Sequence, residues 1–154
     1  MPIFDFVQWT QQRGGTLTAD GPLIPVEVGV PAALEQWLAR NHLPIPAPVS
    51  GVALIDTGAG MSGVHEPILQ QLNIPAVDSI QIATPSGGGR ASVYQAGVAF
   101  PAINVTGYQV RVVGNQLNWT TTDGRSVIML LGRDILHQFL IVYNGRRNAV
   151  TLAF

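Results

Sequence analysis

The 154-residue sequence contains no cysteine and no lysine, and only 11% of its residues are charged. Without cysteine, disulfide bridges and thiolate metal sites are excluded, and the redox compartment stays undecided. The three histidines, His42, His65 and His137, lie far apart along the chain, so no metal site is predicted. The net charge is −1 and there is no basic block, so nucleic acid is not expected as a partner.

Long apolar segments and targeting signals are also absent. No apolar run approaches the ~20 residues that a membrane-spanning helix needs, so no membrane association is predicted. The N-terminus lacks a basic segment followed by an apolar core, which is the pattern of a signal peptide. We therefore expect a cytoplasmic protein.

The sequence is rich in apolar residues, which make up 47% of the chain. Typical domains contain about 25% charged residues, so the low charge here indicates a surface that a subunit interface covers. The length favours one domain, residues 1–154, large enough to bury a core. Within it, residues 1–21 form a lead-in that is either an arm or an edge strand. Residues 31–49 form a helix-containing insertion.

Short alternating runs separated by glycine and proline predict a mostly β domain. Residues 79–84 and 91–96 alternate on either side of the glycine-rich segment 85–90, which predicts a hairpin with a flexible tip. Residues 140–143 and 149–154 predict a second hairpin around an Asn-Gly turn. Short helices are predicted at residues 32–41, 65–72 and 134–139.

The most informative segment is residues 52–59, where a four-residue apolar run ends in Asp56-Thr57-Gly58. The run predicts a buried strand, and Gly58 and Gly60 end it because glycine adopts turn conformations easily. A carboxylate at the tip of a buried strand is costly unless it is hydrogen-bonded or shares a proton. Asp56 is therefore either a catalytic residue or the cap of a turn, and the tripeptide alone does not distinguish these roles.

A second buried strand is predicted at residues 127–131, and Gly132-Arg133-Asp134 follows it. The order, spacing and strand context of the two motifs resemble the retropepsin-like (retroviral-type) aspartic proteases, over residues 22–154. The resemblance implies an all-β, retropepsin-like acid-protease barrel, a closed β-domain with one or two short helices and one lobe per chain. It also implies a single-domain protein of the bacterial type.

The resemblance assigns roles to the first motif and to the glycine-rich hairpin. Asp56 would be catalytic, Thr57 would hydrogen-bond across a two-fold axis, and Gly58 would let the substrate backbone approach. Ala59 would line the substrate pocket. The hairpin would close over the substrate as a flap, although an ordinary surface hairpin is an equal alternative; its tip residues are Gly87, Gly88 and Gly89.

The second motif, Gly132-Arg133-Asp134, is structural in the family that the chain resembles. The arginine there commonly pairs with an acidic residue two positions beyond the first motif, and this chain has Gly60 at that position. Arg133 must therefore find another partner, either Asp134, another acid such as Glu66, or a backbone carbonyl.

Hydrolysis of a peptide bond by carboxylates needs two of them, sharing one proton, because like charges about 3 Å apart cannot both ionise. This chain has one Asp-Thr-Gly and is too short for two such lobes, so the second carboxylate must be Asp56 of another copy. The sequence thus predicts a homodimeric aspartic endopeptidase that acts on peptides or proteins, needs no cofactor, and works best at mildly acidic pH.

Other interpretations stay open. The main alternative is a dimeric peptide-binding module on the same fold with little or no turnover. Residues 1–49 alternatively form a segment that occludes the cleft. A glycosidase built on Asp56 is disfavoured because no second acid has a comparable position at a strand tip.

Overall fold

A computed structural model describes residues 16–84 and 86–153 together with the strand at residues 9–10. These residues form three α-helices: α1 (Ala32–Arg40), α2 (Glu66–Gln71) and α3 (Arg133–Leu136). They also form ten strands: β1 (Trp9–Thr10), β2 (Leu23–Gly29), β3 (Val49–Ile55), β4 (Gly63–His65), β5 (Ala76–Thr84), β6 (Gly87–Phe100), β7 (Val105–Asn115), β8 (Val127–Leu131), β9 (Leu140–Asn144) and β10 (Ala149–Ala153). The predicted all-β class with short helices is confirmed.

Six of the strands close into a barrel in the order β2-β3-β8-β4-β7-β6. The barrel closes because β6 also pairs with β2, with Val28 opposite Val98. Strand β5 pairs with the first part of β6, residues 87–94, and extends the sheet beyond the barrel. The closed β-domain that the sequence predicts is therefore present.

Alternating apolar side chains fill the barrel. On β2 the buried residues Ile24, Val26 and Val28 alternate with partly exposed ones, as the sequence pattern predicts. β2 supplies this part of the core and pairs with β3 on one edge and with β6 on the other. Within residues 1–49, β2 is therefore part of the barrel and does not belong to an occluding segment. Of the lead-in, the structure describes residues 9–10 and 16–21, and β1 is a strand at the edge of a small sheet.

The segment of residues 31–49 contains the predicted helix, but α1 buries none of its side chains completely. Pro31 precedes the helix, and Leu34 packs partly against the core. The extended connector that follows leaves Leu43 and Ile45 exposed. No helix in the described part of the chain is long and apolar enough to cross a membrane.

The glycine-rich hairpin is present, but its tip differs from the predicted one. Gly87, Gly88 and Gly89 belong to β6 and pair with residues 82–84 of β5. The turn is therefore shorter than the segment 85–90, and Pro85 within it lies outside the described residues. The prediction was wrong because glycine carries no side-chain pattern, whereas its backbone N–H and C=O groups still form the strand ladder.

The terminal hairpin is confirmed, with β10 antiparallel to β9 around a short 3-10 turn at Gly145–Arg147. A three-stranded sheet results, in the order β1-β10-β9. The outer strand β9 exposes Leu140, Val142 and Tyr143 by 61%, 47% and 57%. This strand is therefore an apolar edge on the surface of a single chain.

Leu69→Ala is expected to destabilise the fold, because Leu69 of α2 is completely buried against the barrel. Removing a buried leucine side chain costs about 2–5 kcal/mol of unfolding free energy. Leu43→Ala is the matched control: Leu43 is 44% exposed, and a change at such a surface position shifts stability by about 0.5 kcal/mol or less. Chemical denaturation of both variants measures the difference, and equal midpoints would contradict the assigned core.

Candidate active site

The two sequence motifs meet because β3 and β8 are parallel neighbours. Ala53, Leu54 and Ile55 lie opposite Met129, Leu130 and Leu131. Parallel strands end at the same edge of a sheet, so the turns that follow them lie side by side. The backbone N–H of Asp56 donates to the carbonyl of Leu131 at 2.9 Å, which extends the ladder by one more bond.

The turn after β3 holds the carboxylate of Asp56. The N–H of Gly58 donates to Asp56 Oδ1 at 2.9 Å, and the N–H of Ala59 donates to the Asp56 carbonyl at 3.2 Å. A Cβ atom at Gly58 would lie 3.1 Å from Oδ1, so glycine leaves room for this contact. Asp56 is partly exposed, and Thr57 and Gly58 are exposed. Asp56 thus caps its turn, which is one of the two roles that its sequence context allows, and the residue is still partly exposed.

Asp134 is occupied by structural hydrogen bonds. Its Oδ2 accepts from the N–H of Ser62 at 2.9 Å, and its Oδ1 accepts from the Ser62 hydroxyl at 2.7 Å and the Ile135 N–H at 3.0 Å. The Ser62 oxygen in turn accepts from the N–H of Gly132 at 2.9 Å, and Ser62 is fully buried. This network fastens the segment after the Asp-Thr-Gly turn to the start of α3.

Gly132 is required by close packing of backbone against backbone. A Cβ atom here would lie 2.8 Å from the carbonyl carbon of Met61 and 2.9 Å from the nitrogen of Ser62. Both are main-chain atoms, so a side chain would force the two segments apart. Any residue other than glycine would therefore be costly at position 132.

Arg133 finds its partner in the first motif. Its Nη1 donates to the carbonyl of Thr57 at 2.7 Å, and its backbone N–H donates to the carbonyl of Ala59 at 2.9 Å. Of the three candidate partners, the backbone carbonyl is the one observed. Arg133 therefore fixes the position of the Asp-Thr-Gly turn by binding the carbonyls of Thr57 and Ala59.

The hairpin glycines form a separate part of the candidate site. Gly87, Gly88 and Gly89 are all exposed, and a Cβ atom at Gly87 or Gly89 would meet no atom within 4 Å. There is thus open space around this end of the hairpin. In the described residues, the contacts place Arg133 at the Asp-Thr-Gly turn and Gly132 and Asp134 at the segment that follows it. None of these contacts involves the hairpin glycines.

Two ionisable groups with shifted pKa values, Asp78 and Tyr94, lie on β5 and β6, the strands of the hairpin. The Ser79 N–H, followed by the Arg111 guanidinium at 2.8 Å, lowers the pKa of Asp78 at the base of the hairpin. Burial raises the pKa of Tyr94, and its hydroxyl donates to Glu66 at 2.8 Å. No cluster of three His, Cys, Asp or Glu residues suited to a metal occurs in the described part of the chain.

Ser62 is the residue at this site that sequence analysis misses. It lies six residues after Asp56, in a short segment of small residues, and forms no motif with its neighbours. Its importance comes from contacts with Gly132 and Asp134, about 70 positions away in the chain. No local pattern carries this information, although a buried serine always requires a hydrogen-bonding partner.

Gly132→Ala is expected to lower the free energy of unfolding by about 1–3 kcal/mol, as overpacking typically does. Gly89→Ala is the matched control, because a Cβ atom there meets open space. Thermal and chemical denaturation of both variants measures the difference. If the two substitutions had the same effect, the close approach of Gly132 to Met61 and Ser62 would be wrong.

Two proteases are among the solved structures that are similar to this chain. The protease of simian foamy virus (mac) has a TM-score of 0.44 and 15% identity, over 73% of this chain and 91% of that chain. A retropepsin-like aspartic protease from Rickettsia conorii has a TM-score of 0.46 and 12% identity, over 99% of this chain and 97% of that chain. No family model and no curated protein matches the sequence. By name, both similar structures are proteases, and one is a retropepsin-like aspartic protease.

Proposed function

We propose that this chain is an aspartic endopeptidase of the retropepsin-like type, active as a homodimer with one Asp56 from each copy. The observation that carries the proposal is the contrast between two acids at one edge of the barrel. In the described part of the chain, Asp134 has both oxygens engaged by Ser62, whereas the Asp56 carboxylate accepts one N–H and the residue is partly exposed. Asp134 is therefore not available as the partner of Asp56, and the second carboxylate of the proposed pair comes from another copy of the chain.

A two-fold axis beside the Asp-Thr-Gly turn would bring two Asp56 carboxylates together. They would share one proton, so that one acts as a base and the other as an acid. The base removes a proton from a water molecule, which attacks the scissile carbonyl, and the acid protonates the leaving amine. Exposed Thr57 would hydrogen-bond across the axis, and Gly58 and Ala59 would contact the substrate.

The hairpin of β5 and β6 would act as the flap. Gly87 to Gly89 are exposed, and a Cβ atom at Gly87 or Gly89 would meet open space, so this end can move over a bound peptide. Closure would exclude water from the reaction and strengthen the electrostatic interactions in the cleft. The substrate would lie extended between two copies, with no metal or organic cofactor in the reaction.

The exposed apolar edge of β9 supports the homodimer. Leu140, Val142 and Tyr143 are about half exposed or more, and an uncovered apolar strand edge promotes uncontrolled association. Pairing with a second copy would cover it. The low content of charged residues, 11%, fits a chain that buries part of its surface in this way.

Asp56→Asn is expected to abolish peptide cleavage, with a loss of kcat/KM of roughly a thousandfold or more. The amide cannot share a proton with a second carboxylate, while its size preserves the turn. The measurement is cleavage of a mixed peptide library by purified wild type and variant between acidic and neutral pH. Glu35→Gln, at an exposed position of α1, is the control and should cleave at the wild-type rate.

Mixing wild-type and Asp56→Asn chains tests the shared site directly. After joint refolding at equal concentrations, about a quarter of the dimers carry two Asp56 residues, so activity per wild-type chain should halve. An unchanged activity per wild-type chain would mean that each chain works alone. If wild type and variant both stay folded and neither cleaves, the proposal fails, and specific peptide binding would identify a binding module.

Activity is expected to peak at mildly acidic pH and to fall on both sides, because the pair of Asp56 residues must hold one proton. Initial rates between acidic and alkaline pH measure the profile, and a flat one would contradict the mechanism. Circular dichroism at each pH separates unfolding from titration of the site. The lowered pKa of Asp78 means that its contacts with the Ser79 N–H and the Arg111 guanidinium stabilise the folded chain at neutral and mildly acidic pH. That contribution is lost only as the pH falls through the lowered pKa.

A further inference from the structure

Arg133 places a positive charge beside the candidate catalytic turn. Its side chain is exposed, and its Nη1 is fixed by the Thr57 carbonyl at 2.7 Å, one residue from Asp56. A guanidinium has five N–H donors in a planar fork, and this contact uses one of them. The remaining donors stay available at the edge of the proposed cleft.

No carboxylate neutralises this charge in the described part of the chain. The ion pairs there are Arg111 with Asp78 and Arg125 with Asp123. Asp134, the next residue in the sequence, directs its carboxylate to Ser62.

Gly60 leaves the space beside the second guanidinium nitrogen open. A Cβ atom at Gly60 would lie 3.6 Å from Nη2 of Arg133, and no other atom is within 4 Å of it. A side chain there would stand directly against the cation, so an aspartate could neutralise it. With glycine, no side chain at position 60 covers the guanidinium, and Arg133 is exposed to solvent.

We propose that Arg133 forms a subsite for an acidic side chain, so that peptides with Glu or Asp near the scissile bond are preferred. A guanidinium binds a carboxylate through two parallel N–H···O bonds, which gives geometric selectivity as well as attraction. This inference rests on the proposed function, and it names the substrate class. Arg133 thus has two functions: it positions the turn through Thr57, and it selects the substrate by charge.

The test uses a peptide that the wild-type protein cleaves, resynthesised with Glu, Gln or Lys at each position flanking the scissile bond. At the responsive position, kcat/KM for the Glu peptide should exceed that for the Gln peptide about three- to fivefold, the range of a partly exposed ion pair. The Lys peptide should be cleaved more slowly than the Gln peptide. Higher salt should reduce these ratios, because it screens exposed charges.

Two substitutions at Gly60 separate charge from structure. Gly60→Asp should bring the Glu-to-Gln ratio to about one, because the new carboxylate pairs with Arg133, while Gly60→Asn, of equal size and no charge, should keep the wild-type ratio. Arg133→Lys should retain part of the preference and Arg133→Gln should lose it. Each ratio is measured within one variant, so a general loss of activity does not change it. Equal ratios in wild type and Gly60→Asp would overturn the inference.

A binding measurement distinguishes failure of this inference from failure of the proposed function. Labelled apolar decapeptides with a single Glu, Gln or Lys are titrated with Asp56→Asn protein, with and without Gly60→Asp, and followed by fluorescence anisotropy. Cleavage without any charge preference rejects the acidic subsite and keeps the protease. Preferred binding of the Glu peptides without cleavage by the wild type keeps the subsite and rejects the protease. If no peptide is bound or cleaved, both proposals are wrong.

Discussion

The parallel pairing of β3 with β8 is the constraint on which the candidate site depends. The two strands are neighbours in the wall of the barrel, and Ala53 and Met129 on them are completely buried. Because they are parallel, their ends coincide, and the bond from the Asp56 N–H to the Leu131 carbonyl closes the pair at this edge. A shift of one residue in this register would turn the buried side chains outward and separate the two motifs. The core and the site are therefore stabilised by the same contacts.

Local features of the sequence correctly predict the two strands that lead into the motifs. The apolar runs before Asp56 and Gly132 lie in β3 and β8, which end at Ile55 and Leu131. These predictions succeed because burial leaves a period in the sequence that does not depend on the partner strand. The limits of β6 were not predicted, because its 14 residues pair with three different strands and its first three are glycines. The partners, and not the composition, set where this strand begins.

The geometry of the site is less predictable than its location. The motif residues Asp56 and Arg133 are recognisable in the sequence, but the hydrogen bond from Arg133 to the Thr57 carbonyl is not. Ser62 carries no sequence signal, because its contacts join residues about 70 positions apart. Such contacts depend on the register of β3 against β8 and on the space that Gly132 leaves for the backbone of Met61. They arise only when the tertiary structure forms.

Two carboxylates that follow buried strands have different environments here, and this contrast supports the different roles that we propose for them. Among the described residues, Asp134 accepts hydrogen bonds from Ser62 and Ile135, whereas the Asp56 carboxylate accepts from Gly58 only and the residue is partly exposed. One N–H donor of the Arg133 side chain fixes the Asp56 turn through the Thr57 carbonyl, and the side chain is otherwise exposed to solvent. A guanidinium is weakly hydrated and stays charged, so leaving it exposed costs little stability. In the described part of the chain, Arg133 can therefore stay without a carboxylate partner at little cost, and its exposed charge is what the proposed subsite uses to select an acidic side chain beside Asp56.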